Sequence, residues 1–381
     1  MPHPARPIYL DYNATTPVDS RVLEAMLPWF TEGFGNAASA THAYGWQAAE
    51  AVEKARESLA ATLSCTPQEL IFTSGATEAI NLAIKGVAEA YAAKGRHMVI
   101  AATEHKAVLD TAEWVRKRGG EVTLLPVNEQ GLVDPDTFEA AIRPDTVLAG
   151  VMYANNETGV LQPLRALADA AHAKGCLFMS DVVQAVGKIP VHVDELGIDL
   201  APVSAHKLYG PKGVGALYIR RKSPRVTLLP QIEGGGHERG LRSGTLNVPG
   251  IVGLGMAVQI ANEAMAREQA RLGALRDQLE TACLAMGGVC VNGGKAPRLA
   301  HVTNLALEGF HARDVIRALP GLAVATGSAC TSASPKPSHV LRAMGLPDSR
   351  IHGSLRFSLG RFTTEEDIHH ALEAIRTGIR R

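Results

Sequence analysis

Aromatic residues make up only 5% of this chain, and its five cysteines form no Cys-x-x-Cys pair. An odd number of thiols without paired spacing argues against both a zinc site and a disulfide framework, so no metal centre is expected. Cys65, Cys176, Cys283, Cys290 and Cys330 are each judged as single thiols. Net charge is zero with both signs interspersed, which leaves no basic footprint for nucleic acid. No apolar run reaches the length of a membrane span. The start, Met1 to Pro7, lacks the apolar core of a signal peptide, so a cytoplasmic location is expected. Internal repeats and low-complexity tracts are also missing. What the chain does have is 381 residues, 46% of them hydrophobic, enough for a large core and more than one domain. Small-molecule chemistry becomes the leading class.

After a first extended stretch, Ile8 to Pro17, and a helix over Ser20 to Phe30, a long helix runs from about Gly45 to Leu63. Short apolar runs then alternate with helical patterns. Strands are predicted at Ile71 to Thr73, His97 to Ala102, Glu121 to Pro126, Thr146 to Tyr153, Cys176 to Ser180, Leu200 to Val203 and Val214 to Ile219. Intervening helices are predicted near Val108 to Arg118, Asp136 to Ile142 and Pro163 to Lys174. Such alternation predicts an α/β fold, a mainly parallel seven-stranded sheet covered by helices on both faces. A long helix from about Pro249 to Ala285, expected to break near Gly273, leads into a smaller α+β C-terminal domain. The expected division is residues 16–260 against residues 1–15 with 261–381.

Ligands of open α/β sheets bind beyond the carboxyl ends of the strands, so residues just after each strand should converge on one crevice. The run Leu200 to Ser204 ends at Ala205-His206-Lys207, which places a lysine at a strand end. An amine held there, partly desolvated, becomes nucleophilic enough to form a Schiff base. Ser74-Gly75-Ala76-Thr77 opens a helix, where free backbone N–H groups favour a phosphate. His105, Asn155, Asn156, Ser180, Asp181 and Gln184 follow other strands. Taken singly, an ordinary cap, loop or surface residue explains each at least as well, and Lys207, His105 and Asp181 better. Together, a strand-end lysine, a strand-end carboxylate able to meet a protonated pyridine nitrogen and a phosphate-ready helix start describe a site for pyridoxal 5'-phosphate.

At this point the sequence resembles the class-V aminotransferase group of fold-type I pyridoxal phosphate enzymes, and more narrowly the NifS/IscS type of cysteine desulfurase. The resemblance spans nearly the whole chain. It rests on Leu10 to Pro17, Thr73 to Glu78, Thr103-Glu104-His105-Lys106, Asn155 to Gly159, Ser204 to Gly213, Gly234 to Thr245, Gly327 to Ser332 and Leu355 to Gly360. It implies that Lys207 binds the cofactor, His105 stacks on its ring, Asp181 meets the pyridine nitrogen and Gln184 the phenolic oxygen. Ala76, Thr77, Ser204 and His206 would hold the phosphate, joined by Thr245 from the second subunit of a homodimer. Asn36, Asn156 and Arg356 would serve the substrate, L-cysteine, with the planar Arg356 guanidinium matched to its carboxylate. Leu355, Phe357 and Leu359 alternate around Arg356, which puts it on the opposite face of a strand from them.

The ten residues Ala325 to Ser334 contain no large side chain to pin them into a core, so Cys330 is expected to be reachable on a mobile loop. The other four thiols sit in or beside apolar patterns, where a thiol is simply a small hydrophobe. With the resemblance, Cys330 becomes the nucleophile and His105 an acid and base. Sulfur would leave as a persulfide on Cys330 for an acceptor such as an iron–sulfur scaffold protein. Two departures affect geometry more than reaction type. Ala37-Ala38 stand where the family usually shows Pro-Ser, and Val182-Val183 follow Asp181 where small residues are usual. A selenocysteine lyase, another class-V lyase or transaminase, and a non-catalytic sulfur-transfer scaffold remain as alternatives.

Overall fold

The computed structural model describes residues 6–327 and 337–378. Its strands are β1 (Ile8–Tyr9), β2 (Leu70–Thr73), β3 (His97–Ala101), β4 (Glu121–Leu125), β5 (Thr146–Gly150), β6 (Leu177–Met179), β7 (Leu200–Ser204), β8 (Gly215–Ile219), β9 (Val289–Val291), β10 (Val302–Leu307), β11 (Leu322–Ala323) and β12 (Ser354–Ser358). The helices are α1 (Ser20–Met26), α2 (Pro28–Thr31), α3 (Ala43–Leu63), α4 (Ala76–Ala90), α5 (Lys106–Arg116), α6 (Pro135–Ala141), α7 (Leu164–Ala173), α8 (Val248–Leu284), α9 (Ala312–Ala318), α10 (His339–Ala343), α11 (Asp348–His352) and α12 (Glu365–Gly378).

Strands β2 to β8 form the expected seven-stranded sheet, in the order β2-β8-β7-β6-β5-β3-β4. Only β8 runs against its neighbours, pairing antiparallel with both β2 and β7. The carboxyl ends of β2, β3, β5, β6 and β7 therefore lie on one edge of the sheet. Most of these strands are apolar and wholly buried because helices cover both faces: Phe72, Val99, Ala149 and Phe178 look to one core, Ile71, Met98, Leu148 and Met179 to the other. A third core joins Leu10 to Leu272, Leu275, Leu355, Phe357, Leu359 and Leu372. It is built on the antiparallel sheet β12-β10-β9.

Two expectations for helices need correction. The first helix is split at Leu27, because Pro28 opens α2 and supplies no N–H to continue α1. The expected break near Gly273 does not occur: α8 is continuous over 37 residues. A mid-helix glycine costs only about 1 kcal/mol relative to alanine. Burial of Leu272, Leu275 and Leu279 on the same helix outweighs that.

Candidate functional site

The strand ends converge on a cavity of about 540 Å³, within the range of small-molecule sites. Its lining includes Lys207, Asp181, Gln184, His105, Ala76, Thr77, Ser204, His206, Asn156 and Arg356. Sequence reasoning placed every one of these at a single site. Asn36 and Thr245 are exposed and do not line it in the single chain. Cys330 lies outside the described residues.

Strand β7 delivers Ser204 and then a single 3-10 turn, Ala205–Lys207. The Lys207 ammonium donates to the carbonyls of Asn13 and Ala14, at 2.5 and 2.7 Å. His206 Nδ1 meets Thr15 Oγ1 at 3.1 Å. Burial, together with Lys207, Lys212 and Lys188, pulls His206 down to about 4, so it enters the site as a neutral imidazole.

Asp181 follows β6 and is 5% exposed. Its Oδ1 accepts from Val183 N at 3.0 Å. Burial raises its pKa, partly offset by His105, that bond and Lys207, so the carboxylate calls for a cation. His105 follows β3 and caps α5, with Nδ1 accepting from Ala107 N at 3.1 Å. That bond occupies the Nδ1 lone pair, so in the neutral ring the proton sits on Nε2.

Gly75, at φ +148, ends the turn between β2 and α4, and no side chain caps that helix start. Glu78 is already committed: it accepts from Ser74 N at 2.8 Å and pairs with Arg242 at 2.8 Å. The N-terminal amides of α4 thus face the cavity as a seat for an anion. Lys207, Lys212 and Arg356 outnumber the carboxylates on the wall, which suits a phosphate and a substrate carboxylate together.

Arg356 projects from β12 and is 1% exposed, while Leu355 and Phe357 point into the third core. Its Nη1 donates to Asn156 O at 2.8 Å, and its Nη2 pairs with Asp11.

Sequence reasoning did not single out Asn13. Its carbonyl accepts from Lys207 Nζ and Gln184 Nε2. Its side chain bonds Asn156 O and His301 Nε2, and its N–H donates to Ser358 Oγ. Its place in Leu10 to Pro17 was the only signal, since a backbone carbonyl has no residue type. Thr15 and Lys212 also line the cavity without having been named.

The residues present fit pyridoxal phosphate. A buried carboxylate needs a cation, an uncapped helix start can bind phosphate, and a lysine amine lines the same cavity. Among the described residues no His, Cys, Asp and Glu cluster could hold a metal, and no helix is long and apolar enough to cross a membrane.

Comparison with known proteins shows the family. Residues 8–370 match the profile of the family described as aminotransferase class-V. The chain is 52% identical over 376 residues to a cysteine desulfurase IscS of Anaeromyxobacter sp. (strain Fw109-5), covering 98% of this chain and 93% of that protein. It is 52% identical over 370 residues to the IscS of Dechloromonas aromatica (strain RCB), covering 97% and 91%. Among solved structures, a NifS-like protein superposes with a TM-score of 0.91 at 38% identity, covering 97% of this chain and 98% of the other. DndA from Streptomyces lividans superposes at 0.78 with 44% identity, covering 91% and 97%. The chain belongs to the aminotransferase class-V family and, within it, to the cysteine desulfurases of the NifS/IscS type.

Proposed function

We propose that this chain is a pyridoxal-phosphate-dependent cysteine desulfurase that converts L-cysteine to L-alanine and passes the sulfur to an acceptor as a persulfide on Cys330. The observation that carries this reading is the convergence of Lys207, Asp181, the open start of α4 and Arg356 on one cavity. Pyridoxal phosphate, when bound, supplies a carbonyl for an amine and a ring able to withdraw an electron pair from the substrate. Asp181 would hold the charge of the ring nitrogen, Gln184 would meet the phenolic oxygen, and His105 would cover the ring. Ala76, Thr77, Ser204 and His206 hold the phosphate, with Thr245 reaching in from a second copy of the chain. The exposed Leu27, Phe30, Phe34, Tyr44 and Trp46 supply apolar surface for that homodimer.

Arg356 and Asn156 bind the substrate carboxylate, with Asn36 at the mouth, and orient Cα toward Lys207. Lys207 Nζ moves the proton at Cα, and His105 Nε2 holds or supplies one at the substrate sulfur. Cys330 Sγ then attacks that sulfur. An S–S bond forms as the C–S bond breaks, and its electron pair stays on the carbon, which takes a proton to become alanine. A free thiol is only a few per cent ionised at neutral pH, so a nearby base or cation must assist. The same reading puts the chain in the cytoplasm, divides it into residues 16–260 and residues 1–15 with 261–381, and takes an iron–sulfur scaffold or similar protein as acceptor.

The test is one preparation each of wild type, Lys207→Ala and Cys330→Ala given L-cysteine, with alanine and persulfide measured. Wild type is expected to be yellow and to form both. Lys207→Ala should lose the yellow form, and Cys330→Ala should stay yellow, bind cysteine and make almost no persulfide. Full sulfur release by Cys330→Ala would overturn the mechanism. Turnover of cysteine, selenocysteine, and alanine with a keto acid separates desulfurase from selenocysteine lyase and transaminase. A non-catalytic scaffold predicts neither colour nor alanine.

A further inference from the structure

Glu157 is chemically conspicuous and has no part in the mechanism above. It follows Asn156 in a turn set by Asn155, whose Oδ1 accepts from Glu157 N at 2.9 Å and Thr158 N at 3.0 Å. Asn304 Nδ2 holds the Glu157 carbonyl at 3.1 Å. These bonds drive the side chain inward, where the residue is 0% exposed. A carboxylate in such a place is costly unless its oxygens are used.

Its oxygens meet two chain segments that are remote from it in sequence. Oε2 accepts from Ser338 Oγ at 2.5 Å, and that same hydroxyl caps α10 by accepting from Leu341 N at 3.1 Å. Oε2 also abuts Gly327, where a Cβ would lie 2.7 Å from it. Gly327 and Ser338 are the described residues nearest Cys330 on either side of it, apart from Pro337. Oε1 is buried and takes no hydrogen bond from any described residue. The entering chain is fixed a second time, because Ala325 and Arg356 exchange backbone bonds of 3.3 and 2.7 Å. The leaving chain is fixed by His339, whose Nε2 meets Glu104 O at 2.9 Å.

We propose that Glu157 is a positioning residue for sulfur transfer: its carboxylate gathers the chain on both sides of Cys330, at Gly327 and at Ser338, and so sets where that thiol is presented to the substrate. This rests on Cys330 being the nucleophile, as proposed above. The geometry couples the two halves of the reaction. Asn156, one residue earlier, holds Arg356 through its carbonyl, so one turn positions both the substrate's guanidinium partner and the nucleophile's supports. Oε2 alone meets both Ser338 and the backbone at Gly327, so a single oxygen ties the two segments together. Neutral Gln keeps an acceptor oxygen and nearly the same shape, so charge and placement can be tested separately.

The experiment uses cofactor-loaded enzyme: wild type, Glu157→Gln, Glu157→Ala, Ser338→Ala and Cys330→Ala, each checked by thermal melting. Three quantities are read: cysteine binding from the change in the cofactor's visible spectrum, the single-turnover rate of persulfide formation, and the alkylation rate of Cys330 by iodoacetamide without substrate. Glu157→Ala is expected to slow persulfide formation at least tenfold and to change the alkylation rate, with cysteine binding within about twofold of wild type. Ser338→Ala should slow it severalfold, and Glu157→Gln should recover most of the rate. Unchanged persulfide and alkylation rates in Glu157→Ala would overturn the proposal. So would an equal loss in cysteine binding, which would assign Glu157 to the support of Asn156. If wild type forms persulfide at the same rate as Cys330→Ala, the nucleophile assignment itself fails, a result distinct from any difference among the Glu157 variants.

Discussion

Lys188 Nζ donates to Gln184 Oε1 at 2.8 Å, and this contact decides which way the Gln184 amide faces. The two ends of a carboxamide have nearly the same shape, but an ammonium can only donate. On the other side, Gln184 Nε2 donates to the Asn13 carbonyl at 3.0 Å. With both partners fixed, Gln184 offers an N–H, not an oxygen, to the cavity it lines. That is the end suited to a phenolic oxygen. Burial, with Lys207 and Arg356 close by, draws the Lys188 pKa down to about 7, so the ammonium that orients Gln184 is fully present only below that pH.

Lys188→Met should therefore weaken cofactor binding without removing any cofactor contact. Losing one hydrogen bond to a charged group costs roughly 1.5 kcal/mol at the low end of its range, about tenfold in affinity. Titrating apoprotein with pyridoxal phosphate and following intrinsic fluorescence reads this directly. Equal affinity in Lys188→Met and wild type would show that Asn13 alone orients Gln184.

Glu104 gives the clearest pH dependence. It is wholly buried, its Oε1 accepts from Met152 N at 2.6 Å, and its Oε2 has no partner among the described residues. Burial, reinforced by the charge of Asp181, raises its pKa from 4.5 to about 8. Between those values the folded chain holds a proton that the unfolded chain has released. Stability from this group is therefore present below pH 4.5 and lost as pH rises to about 8, by at most a few kcal/mol. Glu104→Gln keeps the acceptor for Met152 and removes the titration. Its melting temperature should match or trail wild type near pH 5 and exceed it near pH 8.5. Parallel curves across that interval would show that Glu104 ionises normally.

Arg356 is preset for a carboxylate by Asp11 at Nη2 and the Asn156 carbonyl at Nη1, with its backbone tied to Ala325. Lysine cannot satisfy Asp11, Asn156 and a planar carboxylate together. Arg356→Lys should raise KM for L-cysteine about 10- to 100-fold, the equivalent of one or two charge-assisted hydrogen bonds. Asp11→Asn should raise KM less, since the guanidinium remains but loses its tether. Steady-state kinetics check both, and a KM that does not move in Arg356→Lys would place substrate recognition elsewhere.

The sheet and most of the site were legible because the physics behind them is written in residue types. Parallel strands buried on both faces must be apolar runs, and Lys207, Asp181 and His105 stood out as polar residues at their ends. The direction of β8 left no such mark, since antiparallel Ala216 and Leu217 are as apolar as any parallel neighbour. The continuity of α8 through Gly273 was hidden because tertiary burial, not local propensity, decides it. Asn13 escaped for a related reason: the Lys207 ammonium and the Gln184 amide N–H meet its main-chain carbonyl, which every residue has. Glu157 carries no signal beyond its place in Asn155 to Gly159, and its reach to Gly327 and Ser338 spans separations that no local pattern encodes.

Gly215 links the stability of the sheet to the phosphate seat. It lies in β8, paired with Thr73 of β2 and Ser204 of β7, both of which run on into cavity-lining residues. A Cβ there would fall 2.4 Å from Val203 O and 2.7 Å from Gly75 Cα, both backbone atoms that cannot rotate away. Gly215→Ala must therefore push the Gly75 turn off β8 or part β8 from β7. Overpacking of this kind costs about 1 to 3 kcal/mol. If the turn moves, the first amides of α4 move with it. Pyridoxal phosphate should then lose more affinity than pyridoxal, which lacks the phosphate, and the melting temperature of the apoprotein should fall. Gly75→Ala separates the two effects: its Cβ meets nothing within 4 Å, but φ +148 is hostile to any side chain, so it should disturb the turn without wedging the sheet. An equal loss of affinity for both ligands in Gly215→Ala would show that the strands part and the phosphate seat stays intact.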